Sequence, residues 1–166
     1  PDEAPRRERY ARILTEKRQR DGFTYQEAND KMFERNYFGM MMVETGDADA
    51  FITGLYTRYT NTIKVANEVI GIKPEHSHFG TMHIINSQKG TYYLADTLVN
   101  QHPTTDELVD IAKLTANAVH FFNEDPIMAM ISHSNFGSDT GEGSAKVRRA
   151  VEAIHKQYPE IGRAHV

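Results

Sequence analysis

The segment from Ile131 to Ser144, ISHSNFGSDTGEGS, holds three glycines and four serines between an apolar run and a helical pattern bearing Lys146, Arg148 and Arg149. Glycines let a backbone approach a ligand closely. Serine hydroxyls and the N–H groups of a helix start donate to an anion, which the helix dipole also favours. Ser132, His133, Ser134, Asn135, Gly137 and Ser138 are therefore candidate contacts for a phosphate or carboxylate ligand. The same composition serves a solvated connection equally well, because the spacing is neither that of a Walker loop nor that of a Rossmann fingerprint. A second candidate is Gly54 to Lys64, GLYTRYTNTIK, which presents Thr57 and Arg58 just before a helix that carries Lys64. Arg58 has the fork geometry to clamp a phosphate, and a solvent-facing arginine at a helix start is the competing reading.

His76, His78 and His83, with Glu75, superficially resemble a metal set. The H-x-H pair falls in a loop and there is no helical i, i+4 pair, so no metal site is expected. Asp96, Asp47 and Asp49 stand near expected strand ends, where turn formation is the commoner use of aspartate. Histidine is a common general acid or base, but no neighbour in sequence fixes a partner for His133, and no catalytic residue is assigned.

These groups sit in a chain of 166 residues with 39% hydrophobic and 25% charged content, within the range of globular proteins. A net charge of -4 gives no electrostatic reason for nucleic acid or an anionic membrane as partner. The absence of cysteine excludes disulfides, thiolate metal sites and a cysteine nucleophile. Residues 1–20 are charged where a signal peptide would be apolar, and no apolar run approaches the ~20 residues of a membrane span. A cytoplasmic protein is expected.

The elements that must position the candidates follow from periodicity. Residues 5–20 place Tyr10, Ile13 and Leu14 on one stripe of a helix that Asp21-Gly22 ends. Thr24 and Glu27 form a capping-box pattern for a second helix to about Glu34. The apolar run Tyr37 to Val43 and the segment Asp47 to Gly54 read as short buried strands. Ile63, Ala66 and Ile70 mark a helix that stops at Gly71, and residues 81–86 and 91–95 flank a turn as a hairpin. Thr104 or Thr105 caps a long helix that buries Leu108, Ile111, Ala112, Thr115, Ala118, Val119 and Phe122. Ile127 to Ile131 reads as a buried strand, followed by a helix with Val147, Val151 and Ile154 inward. The expected fold is α/β, three-layer α/β/α with a largely parallel or mixed sheet.

Three stretches, GDADAFITG (46–54), YLADTLVN (93–100) and MISHSNFGS (130–138), resemble the phosphate acetyl/butyryl-transferase family in type and order. The SHSNFGS form, followed by KVRRAVE, is similar to the domain fused behind bacterial NADP-dependent malic enzymes. The resemblance runs from about Arg7 to Ile161, and residues 162–166 depart from it. It implies an incomplete two-subdomain module, with residues 1–54 ending the first subdomain and 55–166 forming most of the second. The downstream residues that family members use for catalysis have no counterpart here.

Where active transferases carry a histidine and a serine after the strand-ending glycine, and an arginine later in that helix, this sequence has Thr57, Arg58 and Lys64. Lysine does not replace arginine at a bidentate phosphate site. The resemblance therefore implies a regulatory, oligomerising domain that senses acetyl-CoA beside an upstream malic enzyme domain, which would use NADP and a divalent metal (Mg or Mn) to convert malate to pyruvate and CO2. Two other readings stand: an active phosphate acetyltransferase relying on Ser132, Ser134 and Ser138, and an assembly module using Tyr92, Tyr93, Phe121 and Phe122, for which a buried core is the commoner use.

Overall fold

A computed structural model describes residues 3–55, 57–76, 78–133 and 138–163. The chain forms two compact units, Pro1–Ile72 and Lys73–Val166.

In the first unit, Pro5 sits at the start of α1 (Ala4–Arg18), where its missing N–H removes no helical bond. Tyr10, Ala11 and Leu14 form the buried stripe and Ile13 is only partly covered. A short 3-10 turn follows, and Gly22 at φ 86° lets the chain reverse. The expected capping box is present: Thr24 and Glu27 bond reciprocally at the start of α2 (Tyr25–Lys31).

The run 37–43 is a helix, not a strand: it lies in α3 (Arg35–Glu44). A short apolar run fits either state, and here Tyr37, Met40 and Met41 recur at the helical spacing on the core side. Methionine is a good helix former, and Val43 alone is β-branched. The end of α3 explains the mistaken reading. The N–H groups of Gly46 and Asp47 bond back to the carbonyls of Val43 (3.1 Å) and Met42 (2.8 Å), with Gly46 at φ 76°, so Glu-Thr-Gly closes a helix. Residues 47–54 are not a strand either. They form an irregular segment held by Phe51 against Gly39 and by the Thr53 hydroxyl donating to Asn36 Oδ1 at 2.7 Å.

α4 (Tyr59–Val69) buries Val65 and Val69, and Ile70 is exposed. Its last carbonyls are satisfied from α1: Arg18 Nε donates to Glu68 O at 2.7 Å and Lys17 Nζ to Ile70 O at 2.9 Å. The core joins Tyr10, Leu14, Met32, Tyr37, Met41 and Val69, each full apolar burial contributing ~1.5–3 kcal/mol.

The second unit begins with the expected hairpin, β1 (Met82–Ser87) antiparallel to β2 (Gly90–Ala95). Thr104 caps α5 (Thr105–Phe121) through a second reciprocal box with Glu107. Val109, Ala112 and Ala116 pack against Ala150 and Ile154 of α6 (Glu142–Gln157). The strand expected over 127–131 is confined to β3 (Ile127–Met128), paired in parallel with β4 (Gly162–Arg163). It is not buried: Ile127 is 71% and Ile131 83% exposed. Tyr92, Phe121 and Phe122 are also exposed, so the core use expected of them is not observed in this chain. Six helices with one antiparallel and one parallel strand pair make the described chain α/β.

Candidate functional site

The described end of the serine-glycine segment, residues 138–144, is organised around Asp139, which sequence reasoning passed over. Its Oδ1 accepts the Gly141 N–H at 3.0 Å, and its Oδ2 accepts the Ser144 hydroxyl at 3.0 Å and lies 3.0 Å from His133 Nε2. The Gly141 bond first, then the Ser144 hydroxyl, hold this carboxyl below the usual range, and the nearby His133 adds to the effect. Gly141 is the N-cap of α6. An internal carboxylate thus already takes the backbone N–H of the N-cap and one hydroxyl of the first turn. Ser132 and Ser138 lie on either side of residues 134–137, so Ser134, Asn135 and Gly137 fall outside the described residues.

The other candidates share the start of α4. Arg58 is its N-cap in extended conformation, and Thr57 Oγ1 lies 3.3 Å from Thr62 Oγ1. Lys64 is held by Glu68 at 3.7 Å, one turn further along. Among the described residues the Arg58 guanidinium makes no ion pair. Thr57 lines a cavity of about 720 Å³ inside the first unit, walled by Glu34, Arg35 and Asn36 at the start of α3 and by residues 51–55. The wall is largely apolar, with Phe51, Ile52 and Leu55, and among the described residues it contains no histidine, serine or cysteine.

Sequence reasoning also missed Arg35 and Asn36, since nothing in the two polar residues before a short apolar run marks them as cavity walls. Arg35 is exposed and, like Arg58, without an ion pair among the described residues.

A second cavity, of about 660 Å³, lies inside the second unit between β2, α5 and residues 124–131. Asp96 stands on its wall. Burial works to raise the Asp96 carboxyl, but bonds from the Thr81 hydroxyl and from Asn100 (backbone N–H 2.8 Å, side-chain amide 2.6 Å) hold it below its ordinary value. Its role is the turn-forming one. Beside it the Thr97 hydroxyl oxygen is buried with no hydrogen-bond partner among the described residues.

The histidines are occupied as carboxylate partners. His76 Nδ1 lies 2.6 Å from Asp110 and His78 Nε2 2.7 Å from Glu107, tying these two residues to one face of α5. His83 is on β1. Among the described residues no group of three or more histidines or carboxylates is placed to hold a metal ion, and no helix is long and apolar enough to cross a membrane.

Comparison with known proteins matches the chain to a family. The family described as phosphate acetyl/butaryl transferase matches residues 1–163. The NADP-dependent malic enzyme of Escherichia coli is 34% identical over 143 residues, which is 86% of this chain and 19% of that protein. A phosphate acetyltransferase of Nitratidesulfovibrio vulgaris is 31% identical over 161 residues, 97% of this chain and 23% of that protein. The crystal structure of a phosphotransacetylase from Streptococcus pyogenes superposes with a TM-score of 0.76 at 30% identity, covering 95% of this chain and 47% of the other. The chain thus spans about a fifth of the length of these curated relatives and about half of the solved structure. A fold shared over nearly all of this chain, together with a sequence match from end to end, makes it a member of the phosphate acetyl/butyryl-transferase family.

Proposed function

We propose that the chain is the regulatory, phosphotransacetylase-like part of an NADP-dependent malic enzyme, and that it binds acetyl-CoA rather than transferring its acetyl group. The observation that carries this reading is the pairing, in the first unit, of an apolar cavity with unpaired guanidinium groups. Thr57 and Arg35 line the cavity, and Arg58 follows Thr57 at the start of α4. A helix start with free arginines suits phosphate, and an apolar wall suits the chain attached to it. Among the described residues the wall has no histidine to activate its Thr53 and Thr57 hydroxyls, which favours holding such a ligand over attacking it.

In this reading residues 1–54 end the first subdomain and 55–166 form most of the second. NADP and Mg or Mn act in a separate catalytic domain of a cytoplasmic homo-oligomer that oxidises malate to pyruvate and CO2. Allosteric inhibition then requires that acetyl-CoA bind the less active state more tightly by the coupling free energy.

Titration calorimetry of acetyl-CoA into the protein tests the binding, and malate-dependent NADP reduction by the full-length enzyme with and without acetyl-CoA tests the regulation. Arg58→Ala is expected to weaken binding about 10-fold or more, the usual worth of a hydrogen bond to a charged group. Unchanged affinity in that variant, or no binding to the parent protein, overturns the assignment. The second reading, an active phosphate acetyltransferase, is favoured by the match to the Nitratidesulfovibrio enzyme over 97% of this chain. Formation of acetyl-CoA from acetyl phosphate and CoA by the full-length protein would establish it in place of the first.

A further inference from the structure

In the second unit two strand pairs meet around one cavity without joining. β2 pairs with β1 and β3 with β4, and among the described residues no backbone hydrogen bond links β2 to β3. The cavity of about 660 Å³ lies between them, walled by every residue from Thr91 to Thr97 and from Glu124 to Ile131, with α5 on a further side. A strand bonded to one partner leaves half of its N–H and C=O groups pointing away from that partner, ready to pair with another chain. The Thr97 hydroxyl belongs to the same wall, and its oxygen is buried with no hydrogen-bond partner among the described residues. Leaving it so is costly, and a passing backbone N–H or C=O would satisfy it.

The side chains set the occupant's chemistry. Residues 127–131, IMAMI, are the continuous apolar run that a parallel sheet covers on both faces. Met128 and Met130 pack on the core of α5 and α6, whereas Ile127 and Ile131 stay 71% and 83% exposed. Tyr92 and Leu94, two apart and so on one face of β2, are exposed as well. A small ligand would cover part of this apolar surface, but only an extended chain pairs a row of backbone groups one by one. This chain covers 47% of the Streptococcus phosphotransacetylase, so more than half of such a module lies outside it and can supply that chain. We infer that the cavity is a strand slot: an extended apolar segment from the part of the module outside this chain enters between β2 and residues 127–131, bonds to both, and joins the two strand pairs into one mixed sheet.

The test is amide hydrogen exchange, compared between the 166-residue chain and the full-length protein. Residues 91–97 and 127–131 are expected to gain about 100-fold or more in protection in the longer form, and residues 105–121, bonded within α5 in both forms, about 10-fold or less. Ile131→Glu supplies a second readout, because that side chain contributes little burial to this chain. Its Tm effect is expected to stay within about 1 °C in the 166-residue chain and to reach about 4 °C or more in the full-length protein, where the added strand covers the new carboxylate. Equal exchange of residues 91–97 and 127–131 in the two forms overturns the slot, and so does an Ile131→Glu effect that is equally small in both. Protection of the same residues that rises with the concentration of the 166-residue chain, alongside a dimer in sedimentation, assigns the edges to a second copy and also overturns it. If the full-length variant does not fold, exchange in the unsubstituted proteins alone decides. Neither measurement uses acetyl-CoA, so failure here leaves the ligand reading standing.

Discussion

Gly39→Ala tests the contact that holds the cavity segment against α3. A Cβ at this position would lie 2.2, 2.5 and 2.6 Å from three carbons of the Phe51 ring. Carbon atoms prefer ~3.5–4.0 Å, so the ring must retreat by more than about 1 Å. Two effects compete. Alanine is favoured over glycine in a helix interior by about 1 kcal/mol, whereas overpacking costs ~1–3 kcal/mol. The net expectation is a loss of up to about 2 kcal/mol, or a fall of up to roughly 4–8 °C in Tm for a chain of this size. In a Phe51→Ala background the obstruction is gone, and the same substitution should stabilise by about 1 kcal/mol through helix propensity alone. The sign reversal is the diagnostic, read by urea and thermal unfolding followed by far-UV circular dichroism. A rise in Tm for Gly39→Ala with Phe51 intact, or effects of the two substitutions that add within ~0.5 kcal/mol, refutes the packing argument.

Thr104→Ala should cost ~0.5–2 kcal/mol by unpairing the first turn of α5, and Thr104→Ser should recover most of it; equal stability of all three forms in urea denaturation would contradict the capping role. Asp96 has a folded pKa below its ordinary value, so its contribution to stability is present above ~pH 4 and is lost as pH falls through the folded value. Asp96→Asn should therefore flatten the acid limb of a stability–pH profile, and an unaltered limb would count against it. Tyr37 behaves oppositely: burial, with the Glu68 carboxylate accepting from its hydroxyl, pushes its pKa up, so its contribution holds below ~pH 10 and is lost as pH rises towards the folded value. Tyr37→Phe should make stability less dependent on pH above ~10, as followed by urea unfolding in alkaline buffers.

Features carried by neighbouring residues were legible in the sequence. Both capping boxes, the glycine stops at Gly22 and Gly71, the hairpin across residues 87–90 and the α/β class depend on groups three or four positions apart. The family motifs are local in the same way. The reading of 37–43 and 47–54 as strands failed because a strand is defined by a partner distant in sequence. A seven-residue apolar run carries no record of whether such a partner is there, and the Glu-Thr-Gly that ends α3 looks the same after a strand as after a helix.

The candidate site divides along the same line. Composition and motif were enough to single out Thr57, Arg58 and the serine-glycine segment, because glycine, hydroxyl and guanidinium chemistry belong to single residues. Which of their donors are free was decided by the tertiary structure. Asp139 folds back onto Gly141, Ser144 and His133, and Glu68 holds Lys64 while Arg58 is left without an ion pair among the described residues. Asn36 and Arg35 enter the site only because α3 and the segment 51–55 meet around one cavity. Sequence alone sets what each side chain is able to bond. Chain conformation, which turns Asp139 back onto its neighbours, and packing, which brings residues as distant as Asn36 and Thr53 into contact, determine which of those bonds are already made.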